Sequence, residues 1–173
     1  MKAVSSLCFT VLMSSCHPRV RLAEPAPPVP LERLSVCTEV ASDTAGWRRV
    51  ADLDFDFLLP PAYTELVVHA FDSHVRDFAT PDGRGSIGLG YGLYSSSLEE
   101  YRSLRGFAEC RADLGGRPAR VVTGRSEDGR YLVAATWRDL PPGAHLTITG
   151  AAADAAGQRE IASVLRTVKF RFR

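Results

Sequence analysis

From residue 52 onward the sequence repeats one pattern: short segments of alternating apolar and polar residues, separated by turns rich in glycine and proline. Asp52–Leu59 shows it most clearly, with Leu53, Phe55 and Phe57 on one face and aspartates on the other. Alternation with a period of two is typical of a β-strand with one buried face, and Pro60 ends the segment because proline lacks the ladder donor. Strands joined by tight turns pair antiparallel, so the pattern favours an antiparallel sheet.

Further segments share this alternation, and tight turns such as Asp128-Gly129 join several of them. The remaining predicted strands are Glu65–Phe71, His74–Ala79, Ser86–Tyr94, Phe107–Asp113, Pro118–Arg125, Arg130–Arg138, Leu146–Thr149 and a last one around Val168, Phe170 and Phe172.

Two segments have helical rather than alternating spacing. Ser96-x-x-Glu99 has the form of a capping box before an apolar stripe, and Gly106 stands where a helix commonly stops. A second helix begins near Asp154 and places Ile161 and its neighbours on one face. Two amphipathic helices need a sheet face to cover, so we expect an α+β fold, an antiparallel sheet of about six to seven strands packed with two main helices.

The first sixteen residues have the pattern of an export signal that ends at a lipidated cysteine. Lys2 gives a basic start, and residues 3–13 form an apolar stretch too short to span a bilayer. Two serines lead into Cys16, as in the bacterial lipobox, where the cysteine becomes the acylated first residue. Plain secretion and an uncleaved start are the alternatives. Lipidation predicts a periplasm-facing protein of the bacterial cell envelope, and His17 after the cysteine favours the outer membrane.

A proline-rich stretch follows this signal. Residues 17–34 hold five prolines and no periodic apolar pattern, which is typical of an extended, semi-rigid tether. The sequence therefore divides into a signal peptide at residues 1–15, a lipidated cysteine and tether at residues 16–34, and one domain at residues 35–173.

Four cysteines are present, and only two would remain free after export. Cys8 leaves with the signal and Cys16 carries the lipid, which leaves Cys37 and Cys110. In an oxidising compartment this even pair predicts a disulfide, and two unpaired buried thiols are the alternative.

The charges are balanced, with 21 basic and 20 acidic side chains in the 173-residue chain. No strongly basic or acidic field is available to drive binding to nucleic acid, so we expect no nucleic-acid partner.

One cluster of imidazole and carboxylate groups is a weak metal-site candidate. His69, Asp72, His74 and Asp77 are spread over two predicted strands and the turn between them. Facing histidines and one carboxylate are able to hold zinc or copper. The plainer interpretation is a polar hairpin surface, so we predict no metal and no cofactor.

Two further motifs resemble ligand-binding loops. Asp52-x-Asp54-x-Asp56 imitates half of a calcium loop, but it lacks the turn and the distal glutamate, so we expect a solvated strand face. Residues 83–88 satisfy GxGxxG literally, yet a turn precedes them and a strand follows. A dinucleotide site requires the reverse order of strand and helix, so the motif does not indicate one.

Glycines recur on one face of the predicted strand Ser86–Tyr94. Gly88, Gly90 and Gly92 alternate with large apolar residues. Such a face weakens packing, so we expect something to approach it closely: a helix or ring of the same chain, or a ligand or partner. With Tyr94 these glycines form the candidate binding face.

Three short motifs resemble PsbP-like domains. They are Phe55-x-Phe57-x-x-Pro60-x-x-Tyr63, the hairpin residues Gly115, Gly116, Arg117 and Ala119, and Thr167-Val168-Lys169-Phe170. The group includes photosystem II extrinsic subunits, a Ran-binding nuclear import factor and many bacterial lipoproteins. The resemblance covers residues 48–172 and implies a sheet sandwiched by helices and a binding or assembly role.

No nucleophile motif is evident, since Ser126 lies in a turn rather than at a strand-to-helix elbow. We therefore expect a lipid-anchored envelope protein that acts as a binding or assembly module, with an envelope protein as partner. The alternative is an extracytoplasmic metal-binding protein or enzyme that uses the His69/His74 region.

Overall fold

The computed structural model describes residues 43–68, 70, 73–93, 95–141 and 143–171. Strands predominate among them, with a single α-helix and one short 3-10 turn. In chain order the elements are β1 Arg48–Ala51, β2 Phe55–Leu59, β3 Thr64–Leu66, β4 His74–Ala79, β5 Gly85–Gly92, the 3-10 turn Glu99–Ser103, β6 Arg105–Leu114, β7 Arg117–Arg125, β8 Tyr131–Leu140, β9 Ala144–Ala152, α1 Ala155–Arg166 and β10 Lys169–Phe170.

The strands form two antiparallel sheets. The larger has seven strands in the order β3-β4-β5-β9-β8-β7-β6, and the smaller has three in the order β1-β2-β10. Aromatic rings join them: Phe57 meets Phe78 of β4 edge to face at 5.9 Å, and Phe55 lies 5.7 Å from the ring of Tyr91 on β5. The inner face of the large sheet is therefore covered by the small sheet together with α1.

Helix α1 forms as its sequence pattern predicts. The Asp154 carboxylate accepts a hydrogen bond from the Gly157 amide at 2.9 Å, which satisfies a donor that the helix leaves open. Its apolar stripe is buried, with Ile161 and Leu165 fully inaccessible. Ile161 packs directly on Gly150 of β9, where a Cβ would overlap its Cγ2 atom. A side chain at position 150 would thus force the helix away from the sheet.

The predicted helix after Ser96 is wrong. Only Glu99–Ser103 turns, as a 3-10 segment, and Leu98 before it has a left-handed φ of 63°. Leu98 is fully buried against Val122 and Ala134 on the outer face of the large sheet, which holds the chain as a turn. Arg105 already pairs with Arg125, so β6 begins before a helix has room to extend.

The α+β expectation with two main helices is accordingly incorrect, and the described domain is mostly β with one helix. The strand β1 is an addition that the alternation did not indicate. Its four residues bury only Val50, so the segment carries almost no apolar signal.

Several predicted features lie outside the described residues. These are the signal peptide, the tether, Cys16, Cys37, His69, Asp72 and Tyr94. Cys110 lies on β6, half-buried and packed against the core. Within the described part of the chain, no helix is long and apolar enough to cross a membrane.

Candidate binding surface at an open sheet edge

Exposed apolar residues gather at one corner of the domain. The exposed large hydrophobic side chains of the described residues are Leu53, Leu66, Val67 and Leu93, which are 62, 48, 89 and 67% exposed. A contiguous patch of large apolar side chains exposed to solvent commonly marks an interaction surface. Together with the strand segment His74–Arg76 we call them the β4 corner.

Strand pairing and side-chain contacts place three of these residues around β4, and Val67 follows one of them, Leu66, directly in the sequence. Leu66 pairs with Asp77 of β4. Leu93 comes two residues after Tyr91, which pairs with His74. Leu53 follows Asp52, whose carboxylate contacts Arg76. The β1–β2 turn, the end of β3 and the end of β5 therefore converge on β4 between His74 and Asp77.

The first half of β4 is also an open edge. Strand β3 pairs only with Asp77, Phe78 and Ala79, whereas β5 pairs with the whole of β4 from His74 onward. Among the described residues, no strand pairs with His74–Arg76 on the side away from β5. An unpaired strand edge presents backbone donors and acceptors to which another chain is able to add.

Arg76 fixes the geometry of the corner. Its guanidinium donates to both carboxylate oxygens of Glu65, at 2.7 and 2.8 Å. It also donates to Asp52 Oδ2 and to the carbonyl of Ala51, both at 3.1 Å. Its central carbon Cζ lies 5.3 Å from the centre of the Phe78 ring, which is a cation–π contact. Because these groups already engage the guanidinium, Arg76 holds the β1–β2 turn against β3 and β4 rather than offering a cation to a ligand.

Of the two described members of the predicted metal cluster, His74 lies at this corner. Its Nε2 atom is 2.8 Å from Oδ1 of Asp52, whose side chain is only 1% exposed. Both residues line an open cavity of about 530 Å³, together with Leu53, Arg76 and Arg171. The His74–Asp52 contact is a second point at which the β1–β2 turn approaches β4.

The other described member of that cluster is not placed to join His74. Asp77 pairs with Gly88 and lies three residues from His74 along the same strand, so the two side chains point to opposite faces. Among the described residues, no three His, Cys, Asp or Glu side chains approach closely enough to hold a metal ion.

The three alternating aspartates do not form a solvated strand face, contrary to expectation. Asp52 binds Arg76, Asp54 accepts the hydroxyl of Tyr91 at 2.7 Å, and Asp56 pairs with Arg49. Burial, and next the hydrogen bond to Asp54, raise the pKa of Tyr91. The carboxylates of Asp52 and Asp54 thus anchor the small sheet to the large one. Their spacing in the sequence does not reveal these partners, because the partners lie more than twenty residues away.

The glycine face of β5 is open rather than covered at its centre. An ideal Cβ at Gly90 meets no atom within 4 Å, while one at Gly88 would meet only the polar atoms of Asp77 and Thr149, at 3.0 and 3.1 Å. At Gly92 the nearest atom belongs to Ser73, at 3.8 Å. Among the described residues, no helix and no aromatic ring comes within 4 Å of the Cβ positions of these three glycines. Their role as a binding face stays a prediction.

Gly90→Val is therefore expected to fold and to raise the free energy of unfolding by about 0.5–1 kcal/mol, because valine stiffens a strand that glycine weakens. Thermal or urea unfolding measures this change. Gly150→Ala is the matched control in the neighbouring strand: its methyl overlaps Ile161, so it should lower the free energy of unfolding by about 1–3 kcal/mol. Similar losses in both variants would contradict the assignment of Gly90 to open space.

Sequence reasoning missed two features of this surface. Alternation predicts one strand over Glu65–Phe71, but pairing stops at Leu66 and leaves Val67 exposed. The packing glycine of the helix–sheet contact is Gly150, which lies outside the glycine-rich strand. Gly150 stands alone between Thr149 and Ala151, so its neighbours in the sequence do not indicate that α1 packs against it.

The class of fold is thus a large antiparallel sheet, covered on its inner face by one helix and a small sheet. No protein-family model and no curated protein matches the chain. Among solved structures, the solution structure of cyanobacterial PsbP (CyanoP) from Synechocystis sp. PCC 6803 is similar, with a TM-score of 0.53 and 14% sequence identity over 78% of this chain and 96% of that chain. The described domain therefore has a PsbP-like fold, which confirms the resemblance at the level of architecture.

Proposed function

We propose that this protein is a lipid-anchored accessory module of the bacterial cell envelope that binds an extended segment of a partner protein at the β4 corner. The observation that carries the proposal is the coincidence of four exposed large apolar side chains with an unpaired stretch of β4. The PsbP-like fold supports a non-catalytic role, and the predicted lipid at Cys16 and the tether at residues 17–34 support the location.

The chemistry of the corner favours an extended, largely apolar partner segment. Strand addition supplies main-chain hydrogen bonds, and exposed apolar neighbours then receive alternate side chains. Both Arg76 and Asp52 are engaged within the domain, so little uncompensated charge remains to attract a charged ligand. Leu66 forms the last pair of β3, with Asp77, and the exposed Val67 follows it directly, next to the part of β4 that the partner would extend.

The binding step is tested by a photo-cross-linking amino acid at position 67 in intact envelopes. We expect one discrete adduct with a second protein, and we expect it to disappear when Leu66 and Leu93 are both changed to Lys. The matched control is the same amino acid at Glu127, an exposed residue in the β7–β8 turn at the other end of the sheet. Equal labelling at both positions, or an adduct only with a second copy of this chain, would overturn the proposal.

The anchor is tested by the intact mass of protein extracted from membranes. We expect the mass of residues 16–173 plus acyl chains, and we expect Cys16→Ala to abolish the acylation. An unprocessed mass would contradict both the anchor and the compartment.

A further inference from the structure

The outer face of the small sheet carries charged side chains that the β4 corner does not use. The aromatic rings of β2 point inward and are fully buried, so the residues that alternate with them point outward. Arg49 of β1 pairs with Leu58 of β2, and Lys169 of β10 pairs with Asp56. Because directly paired residues share a face, these four side chains lie together on the outside, where Arg49 and Lys169 are exposed.

A cavity of about 510 Å³ lies on this face, where the end of α1 meets the small sheet. It is lined by Arg49, Asp56, Leu58, Arg166, Thr167 and Lys169. The Thr167 hydroxyl accepts a hydrogen bond from the Leu58 amide at 2.8 Å and lies 2.7 Å from the carbonyl of Val164, to which it donates. These bonds join the end of α1 to β2. The three cations therefore project from two strands and a helix end that are bonded to one another.

Cations outnumber carboxylates on this face. Asp56 is the single acid among the residues that line the cavity, and Arg49 already binds its carboxylate, whose side chain is only 9% exposed. Arg171 follows Lys169 by two residues and donates to two backbone carbonyls, which carry no net charge to offset its own. The whole chain has a net charge of +1, so this excess is local. We call Arg49, Arg166, Lys169 and Arg171 the basic face.

We propose that the basic face lies on the anionic headgroups of a lipid bilayer, an inference that rests on the lipid anchor of the proposed function. Each Lys or Arg near an anionic surface adds an attraction that decays within a Debye length. The cations are spread over an open face instead of enclosing a small volume, which suits a flat, multivalent surface. The predicted tether precedes Arg48, where β1 begins, so the anchor would keep this sheet close to the bilayer and a weak contact would suffice to orient it.

The test places the full chain on lipid nanodiscs that contain a gadolinium-chelating lipid and measures the paramagnetic broadening of backbone amide NMR resonances. In discs that contain phosphatidylglycerol we expect broadening at Ala51 and Leu58, which lie on the outer face of the small sheet. The amide of Ser103, in the 3-10 turn on the outer face of the large sheet, should lack it. In discs of phosphatidylcholine alone the difference between these positions should disappear. Equal broadening at Ala51 and Ser103 in the anionic discs would overturn the proposal.

The state of the anchor is measured separately from the orientation of the domain. Intact mass shows whether the protein on the discs carries a lipid at Cys16. If it does not, an N-terminal His tag and a nickel-chelating lipid hold the same full chain on the discs, and the same pattern of broadening is expected. Absence of the lipid would contradict the proposed anchor, whereas an anchored chain without a preferred face would contradict the role of the basic face.

Charge reversal assigns the contact to the basic face. Lys169→Glu should weaken the broadening at Leu58 by about twofold or more, because it removes a cation and adds a repelling anion. Arg102→Glu makes the same change of charge in the 3-10 turn and should have no effect. Equal effects of the two variants would attribute the contact to net charge and refute the assignment. Ala51→Lys adds a cation opposite Asp56 and should strengthen the broadening, which keeps the test decisive if Lys169→Glu fails to fold.

A titration with poly-glutamate separates a bilayer from an acidic polypeptide. Resonance shifts at Ala51 and Leu58 with poly-glutamate, without preferential broadening on anionic discs, would assign the basic face to a protein partner and overturn the proposal. Broadening on anionic discs that high salt removes would support it, because salt screens attractions between exposed charges.

Discussion

Replacing Arg76 with Met is expected to lower the free energy of unfolding by about 3 kcal/mol. Methionine keeps the length and apolar stem of the side chain but removes the cation that faces Asp52, whose carboxylate is 1% exposed. A carboxylate buried to this degree loses more than the bond itself, because no water replaces the missing partner. Equilibrium unfolding in urea measures the change.

Arg120 supplies a matched control for Arg76. It donates to both oxygens of Glu109, at 3.0 and 2.9 Å, and to Glu99, so its arrangement is nearly the same. Its carboxylate partners are 35 and 54% exposed, however, and water takes over when the cation is lost. Arg120→Met should therefore lower the free energy of unfolding by about 1 kcal/mol or less. Equal losses in the two variants would show that burial of Asp52 is not the deciding factor.

The acid dependence of stability gives a second measurement on the Arg76 variant. The hydrogen bonds from Arg76 hold the pKa of Glu65 below its ordinary value of 4.5. Since the folded pKa is lowered, this stabilisation is present above the unfolded value and is lost as the pH falls through the folded one. In Arg76→Met the part of the acid destabilisation that begins below pH 4.5 should become shallower. An unchanged acid profile would contradict the role of this pair.

Local patterns were sufficient to predict most of the strands. Strand β4 occurs at the predicted residues His74–Ala79, and α1 begins after Asp154 with its predicted stripe buried. Both depend on neighbours along the chain, where periodicity and a capping side chain act directly. The segment after Ser96 has equally good local signals, yet it is a turn because Leu98 is buried on the outer face of the sheet. Tertiary burial overrides propensity there.

The candidate sites were predictable only in part, because they depend on contacts between distant residues. His74 was identified by its chemistry, but its partner Asp52 lies twenty-two residues earlier and had been assigned to a solvated face. Tyr63 was identified only as part of a family-like motif, and its packing against Gly85 depends on contacts between distant residues. Leu66 and Val67 are exposed because β3 stops pairing at Leu66. The apolar and β-branched residues of this segment do not indicate where the pairing ends.

Replacing both Cys37 and Cys110 with Ala is expected to lower the free energy of unfolding by about 4 kcal/mol, because a bridge would close a loop of about 70 residues in the unfolded chain. Wild-type protein in reductant should unfold at the same urea concentration as this variant, and the variant should not respond to reductant. A wild-type midpoint that reductant leaves unchanged would contradict the disulfide. Cys110 lies on β6, at the opposite edge of the seven-stranded sheet from β3. The β4 corner lies at that other edge of the sheet, so loss of the bridge should leave this surface intact.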